Sequence, residues 1–248
     1  MRVLLSAFAF VLFALPLPLH SQTLSDDDVT YIQANTIFTI YHELGHALID
    51  IMRLPVLARE EDAADVLGVV LSEAINDPVD TETILVAAAD NFAFMAYLSD
   101  EQGIELPFWD MHSLDMQRYY GILCLYYGAD PEAREDLARE LELPEERAQT
   151  CPEEYALAEE SWGPILDEIS VGTKGNWIRF SVKDKPTNAA EKVMLETVEA
   201  EAAFLNDALS PDFRVNLVFA ACGEPNAFFD LDSDTIIMCR ELSELFVE

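Results

Sequence analysis

The most constraining feature is His42-Glu43-Leu44-Gly45-His46, set inside a long helical pattern. Apolar residues recur at Ile37, Phe38, Tyr41, Leu44, Leu48 and Met52, which is the spacing of one helix face. Ser25-Asp26-Asp27-Asp28 supplies capping oxygens and negative charge at the start, and Leu54-Pro55 stops the run, so a helix over 26–53 is expected. Histidines four apart stack about one turn apart on such a face. Their rings can converge on one metal ion at ~2.0–2.1 Å each. Glu43 lies between them, close enough to take a proton from a water activated by that ion. Gly45 leaves room for something to approach the helix. With only 4 histidines in 248 residues, chance supplies this motif in about one such chain in a hundred. Two histidines satisfied in a helical core are therefore the weaker explanation.

A third ligand is needed to hold the ion. A further His six residues past His46, preceded by a Gly at position 49, is ruled out, because those positions hold Met52 and Ile49. Arg59-Glu60-Glu61-Asp62-Ala63-Ala64-Asp65 follows instead, opening a second helix over about 59–74 after a Pro-containing turn. Glu61 is the preferred ligand, with Asp65 one turn later suited to hold a ligand imidazole in one tautomer. Glu60 and Asp62 are fallback ligands, although an acidic helix start favoured by the dipole already accounts for Glu60.

At the N-terminus, Met1-Arg2 precedes an apolar run broken by Pro16 and Pro18, and polarity begins at His20-Ser21-Gln22. This has the form of a secretory leader over 1–21, too short and Pro-interrupted for a membrane span. The expectation is an exported protein, periplasmic or secreted, with no stable membrane anchor and a single domain over 22–248. Export permits disulfides. Cys124, Cys151, Cys222 and Cys239 allow three connectivities, and the sequence-local pairs 124/151 and 222/239 are the expected ones. The 14 basic against 47 acidic residues, a net charge of −33, exclude a nucleic-acid backbone binder and oppose docking on anionic lipid.

The fold class expected is α+β and mainly helical. Further helices are read at about 81–99, at 114–127 ended by Gly128, and at 131–141 and 152–168, giving a helical body over 26–170. A β-containing part follows over 175–248: strand patterns at 176–182, 213–221, 226–230 and 235–239, a helix over 189–208 and a closing helix over 240–246. The metal site would thus stand on two helices, with a small β element added late.

HELGH followed by EEDAAD resembles the zincin metallopeptidases whose third ligand is Glu, the gluzincins, of which thermolysin is the familiar member. The stretch Tyr41–Asp65, together with the late CGEPNAFFD and IIMCREL segments, is closer still to a bacterial family described only as putative metallopeptidase. The resemblance implies a zinc-dependent peptidase acting on peptide or protein substrates. His42, His46 and Glu61 would bind Zn2+, Glu43 would be general base, and Asp65 would orient a ligand imidazole, His42 first. In several related families an Asn-Ala-aromatic strand precedes the HExxH helix and borders the cleft. Here Asn226-Ala227-Phe228-Phe229 comes after it, so either the strand is permuted or it is an ordinary hairpin stapled by Cys222–Cys239. His112 is the only mature His left to stabilise the developing oxyanion, with Arg118, Tyr119 and Tyr120 as other candidates. Asp110 and Asp115 read as caps for the next helix. A non-catalytic, zinc-stabilised envelope scaffold could use the same ligands. It would have no use for Glu43, which favours the enzyme.

Overall fold

The computed structural model describes residues 23–172 and 175–247. The secretory leader expected over residues 1–21 lies outside the described residues. Eight α-helices and four strands follow in chain order: α1 (Asp26–Met52), α2 (Glu60–Ile75), α3 (Pro78–Glu101), α4 (Asp115–Ala129), α5 (Pro131–Glu140), α6 (Glu145–Ala148), α7 (Cys151–Ser170), β1 (Ile178–Val182), α8 (Ala189–Ala208), β2 (Val215–Ala220), β3 (Ala227–Asp230), β4 (Thr235–Cys239) and a closing 3-10 turn at Arg240–Phe246. The chain is α+β and mainly helical.

Helix α1 begins as its sequence directs. Ser25 Oγ accepts from Asp28 N while Asp28 takes the Ser25 N–H, so two otherwise unpaired donors are satisfied together. The helix is the spine of the molecule. Ile32, Ile40, Tyr41, Leu44, Ala47 and Leu48 are fully buried along it, and it packs on α2, α3, α8 and the sheet. Buried on so many sides, it encloses polar residues as well: Asn35, Thr36, His42 and Glu43 are buried along it.

The helical body differs from expectation at three places. Helix α3 starts earlier, because Asp77 accepts from Val79 N and Asp80 N and Pro78 suits the first turn. Gly128 does not end α4. A Cβ there would fall 2.2 Å from the Cys151 carbonyl oxygen, so this glycine serves helix packing, and the helix stops instead before Asp130-Pro131. The short α6 was not expected. Cys124–Cys151 ties α4 to the start of α7, and Cys222–Cys239 ties the end of β4 to the loop after β2.

The sheet has the order β1-β2-β4-β3. β1, β2 and β4 run parallel, with Phe180 opposite Leu217 and Leu217 opposite Ile236. Helix α8 makes the crossover from β1 to β2, as parallel pairing requires. β3 turns back from the far edge and pairs antiparallel with β4, Phe228 opposite Ile237. The strands are shorter than their sequence patterns, starting at Ile178, Val215 and Ala227. α8 lies against β1 and β2, α1 against β3 and β4, and the two helices pack on each other. The closing segment is helical over the residues expected, in the tighter 3-10 form.

Candidate metal centre

Close approach of two helices creates the site. A Cβ on Gly45 would sit 2.8 Å from Ala64 Cα, so only glycine lets α1 and α2 touch backbone to side chain at this crossing. The approach sets the His42–His46 stripe against the first two turns of α2. His42 Nε2 and His46 Nε2 are 3.3 Å apart. Each faces Glu61 Oε2, at 3.2 and 3.3 Å respectively. Donors at ~2.0–2.1 Å from a tetrahedral ion are themselves separated by about 3.3–3.4 Å, so these three atoms have the spacing of one face of such a site. Glu61 Oε2 is also buried without a hydrogen-bond partner among the described residues. An orphaned carboxylate oxygen ringed by imidazole nitrogens fits a cation well.

The other acids of EEDAAD are each engaged. His42 Nδ1 pairs with Asp65 Oδ1 at 2.8 Å, and His46 Nδ1 with Glu60 Oε1 at 2.8 Å. Both rings are thereby held with Nε2 toward Glu61, the tautomer a metal ligand needs. Asp65 is held in turn by Arg118, whose Nε and Nη2 reach its two oxygens at 2.7 and 2.6 Å. Arg118 also lies over the Phe92 ring, 3.9 Å from its centroid. Asp62 accepts from Ser113 Oγ at 2.7 Å, and Ser113 accepts from Arg59 Nη1 at 3.0 Å. That link ties the loop before α4 to the start of α2.

The same loop carries His112, half exposed, with Nε2 3.1 Å from Glu61 Oε2 and Nδ1 3.0 Å from Asp110 Oδ1. Asp110 also accepts from His112 N at 2.9 Å. Asp110 therefore orients His112 and does not cap α4; the position before that helix is Leu114, without a side-chain cap. Arg118 and Tyr119, read as oxyanion candidates, are spoken for elsewhere: Arg118 on Asp65 and Tyr119 on the Leu141 carbonyl.

Electrostatics separate the carboxyls. Burial pushes Glu61 upward, but the three imidazoles of His112, His42 and His46 around it outweigh this and hold the group far below the usual carboxylate range. Burial acts on Asp65 in the same way and is overcome by the Arg118 charge and the His42 hydrogen bond. Glu43 moves the other way. It is 5 % exposed, and burial raises it, offset only in part by His42 and His46. Burial opposes the His42 imidazolium, yet the hydrogen bond to Asp65 and the nearby Glu61 carboxylate lift that ring to about 9. His46 and His112 are raised too, His112 mainly by the Glu61 carboxylate beside it.

Asn226, Ala227 and Phe228 do not join the donor cluster. They lead into and begin β3, an edge strand packed on α1, with Asn226 O accepting from Cys239 N at 3.1 Å. It is a hairpin stapled by Cys222–Cys239, and its outer edge pairs with no strand among the described residues. Sequence reasoning missed the pairing of Glu60 with His46 and the role of Ser113. The signal for the first was present: Glu60 precedes Glu61 by one residue, so it faces the neighbouring histidine when Glu61 faces the gap.

Two imidazoles and a carboxylate converge from two helices, beside a third imidazole and a buried carboxyl, in an arrangement that could hold a metal ion. The chain belongs to a family described as "Putative metallopeptidase", whose model it matches over residues 18–166. All the residues of the cluster fall inside that match, whereas the sheet lies beyond it. The family assigns a metal ion as cofactor and peptides or proteins as substrates. No curated protein and no solved structure matches the chain.

Proposed function

We propose that the protein is an exported zinc-dependent peptidase, with His42, His46 and Glu61 as the metal ligands and Glu43 as general base. The observation that carries this reading is the orphaned Glu61 Oε2, 3.1–3.3 Å from three imidazole nitrogens. Two nitrogens and one oxygen suit zinc among the common divalent ions. The ion would polarise the scissile carbonyl and lower the pKa of a water from ~15.7 towards ~7.

The chain's own groups supply the proton transfers. Glu43, buried between the two ligand histidines and raised by that burial, is placed to accept a proton from the attacking water and return it to the leaving nitrogen. His112, held at Nδ1 by Asp110 and raised so that the imidazolium is favoured, turns an Nε2–H toward the reacting carbonyl oxygen and donates to the charge that develops there. Asp65 and Glu60 keep the ligand rings from rotating, and Arg118 keeps Asp65 ionised. The free edge of β3 (Asn226, Ala227, Phe228) offers backbone groups to an extended peptide. Two disulfides support an exported location with residues 1–21 removed.

The central test is Glu43→Gln. It should retain zinc and lose about 10²–10⁴-fold in turnover on a peptide substrate; turnover that persists removes Glu43 as base. Glu61→Gln should weaken zinc binding, measured by competition with a chelating dye. For β3, N-methylating successive amides of a peptide substrate should raise KM at alternate positions. A flat response leaves β3 a structural hairpin only. N-terminal sequencing of the exported protein should find a start near residue 22.

A further inference from the structure

The loop between α3 and α4 carries a feature that hydrolysis itself leaves unused. Ile104, Leu106, Phe108, Trp109 and Met111 are all exposed, the last three at 73, 78 and 72 %. Single exposed apolar residues are ordinary, but a run of five within eight positions is not. The loop is internally braced. Ile104 N donates back to Ser99 O, and Asp110 N donates to Pro107 O at 2.9 Å. Phe108 and Trp109 are therefore the two central residues of a hydrogen-bonded turn. At its far end the loop is tied down by Ser113 on Asp62 and Arg59.

The turn is also continuous with the metal centre. Only Asp110 and Met111 separate Trp109 from His112, and His112 Nε2 lies 3.1 Å from Glu61 Oε2. The stretch 102–113 contains Glu105 and Asp110 and no Lys or Arg. Glu60, on the facing helix start, is half exposed. An apolar patch with an acidic margin, in a chain of net charge −33, repels acidic chains and anionic headgroups and tolerates neutral or basic ones.

We propose that the 104–111 turn is a docking surface for apolar, non-acidic stretches of unfolded polypeptide, which it delivers to the adjacent metal centre. The substrates are then chains whose core residues have become exposed, rather than folded proteins. This rests on the peptidase reading above. Phe and Trp are suited to the task, because they bury large areas at little entropic cost and dominate interface energetics.

The experiment uses the full chain carrying Glu43→Gln, loaded with zinc, so that a bound polypeptide is not cut. The probe is a reduced, carboxamidomethylated basic protein, fluorescently labelled, with a succinylated copy of the same chain as its acidic counterpart. Fluorescence anisotropy should show the basic chain bound and its succinylated copy bound at least tenfold more weakly at low salt. Adding Phe108→Ser, Trp109→Ser and Met111→Ser together should raise Kd for the basic chain tenfold or more, with zinc content and melting temperature unchanged. Equal binding by the triple variant overturns the proposal. So does binding to neutral phosphatidylcholine vesicles, or self-association at high concentration, if the triple substitution abolishes it, because the turn would then serve a membrane or a second copy. Cleavage is scored separately. If the chain with Glu43 intact binds the polypeptide but cuts nothing, the peptidase reading fails and docking stands. If it cuts, and the triple variant binds and cuts equally well, docking fails and the peptidase reading stands.

Discussion

Two carboxylates from other helices are buried against neighbouring side chains of α1, Asp65 against His42 and Glu201 against Tyr41. Asp65 sits between an imidazole and a bidentate guanidinium. Glu201 Oε1 accepts only the Tyr41 hydroxyl, at 2.8 Å, and no cation lies within ion-pair distance of it among the described residues. Burial raises both, but Asp65 ends far below its ordinary value while Glu201 is pushed up to about 7. Burial thus acts on both in the same direction, and the partners decide where each titrates. On the His42 side the carboxylates are fixed as anions and can orient ligands. On the Tyr41 side the carboxyl is a near-neutral group that costs stability whenever it ionises.

The largest effect should come from Asp65→Asn. Arg118 is almost wholly buried, and the substitution removes the only carboxylate bonded to its guanidinium, leaving Glu61 and Asp115 at a distance, at a cost of about 3–5 kcal/mol. His42 loses its orienting anion as well, so zinc affinity should fall about 10–100-fold. Urea unfolding and metal competition read the two effects separately. A loss below about 1 kcal/mol would show that Arg118 finds another partner, and the contrast with Glu201 would lose its basis.

Glu201→Gln should act with the opposite sign. A carboxyl whose folded pKa is about 7 against the ordinary 4.5 binds extra protons in the folded state. Its contribution is fully present below about pH 4.5 and lost as pH rises through 7. Stability of the parent chain should therefore fall across that window, by on the order of 2–3 kcal/mol from this group. The glutamine variant lacks the slope and should be the more stable protein at pH 8. Unfolding midpoints at pH 5 and pH 8 check this, and an unchanged slope would place the titration elsewhere.

Gly45→Ala tests the contact that brings the two helices together. The new methyl meets Ala64 Cα at 2.8 Å, backbone that cannot swing aside, so α2 must shift. Overpacking of this kind costs about 1–3 kcal/mol, part of it returned by alanine's better helix propensity. Because Glu61 and Asp65 ride on α2, zinc affinity should fall together with stability. A variant with lower stability and unchanged affinity would mean that the donor triangle tolerates the displacement.

These contacts also show how far the sequence could be read. The helices of the body and the two cysteine pairs follow from local signals: caps, stop residues and spacing. The convergence of His42, His46 and Glu61 was legible because HExxH fixes two donors on one face and leaves few carboxylates within reach of a following helix. Gly45 was seen to admit a neighbour, but which neighbour depends on the packing of α1 on α2. Arg118 could not be assigned, since its partner is 53 positions away in sequence and nothing local distinguishes an arginine that holds Asp65 from one that faces the cleft. The strand order, with β3 returning past β4 to the edge, is likewise a tertiary outcome; the alternation of residues 226–230 marks a strand but not its neighbour. Glu201 reads as one more acid on a helix until Tyr41 is placed against it.

The smallest expected change is Tyr41→Phe, which removes the hydroxyl that joins Glu201 and Asn76. The Tyr41 hydroxyl favours the ionised form of Glu201, so its removal should move the Glu201 titration above 7 and extend the stability slope to higher pH. Asn76 loses one acceptor but keeps the Ser72 carbonyl, so the net loss near neutral pH should be only about 1 kcal/mol. Tyr41 immediately precedes His42, yet its hydroxyl touches Glu201 and Asn76 and none of the ligand groups. Zinc affinity should therefore be unchanged while the pH profile of unfolding shifts. A matched fall in zinc affinity would show that the helix transmits the Glu201 charge state to the histidines, and the two environments would have to be treated as one coupled system.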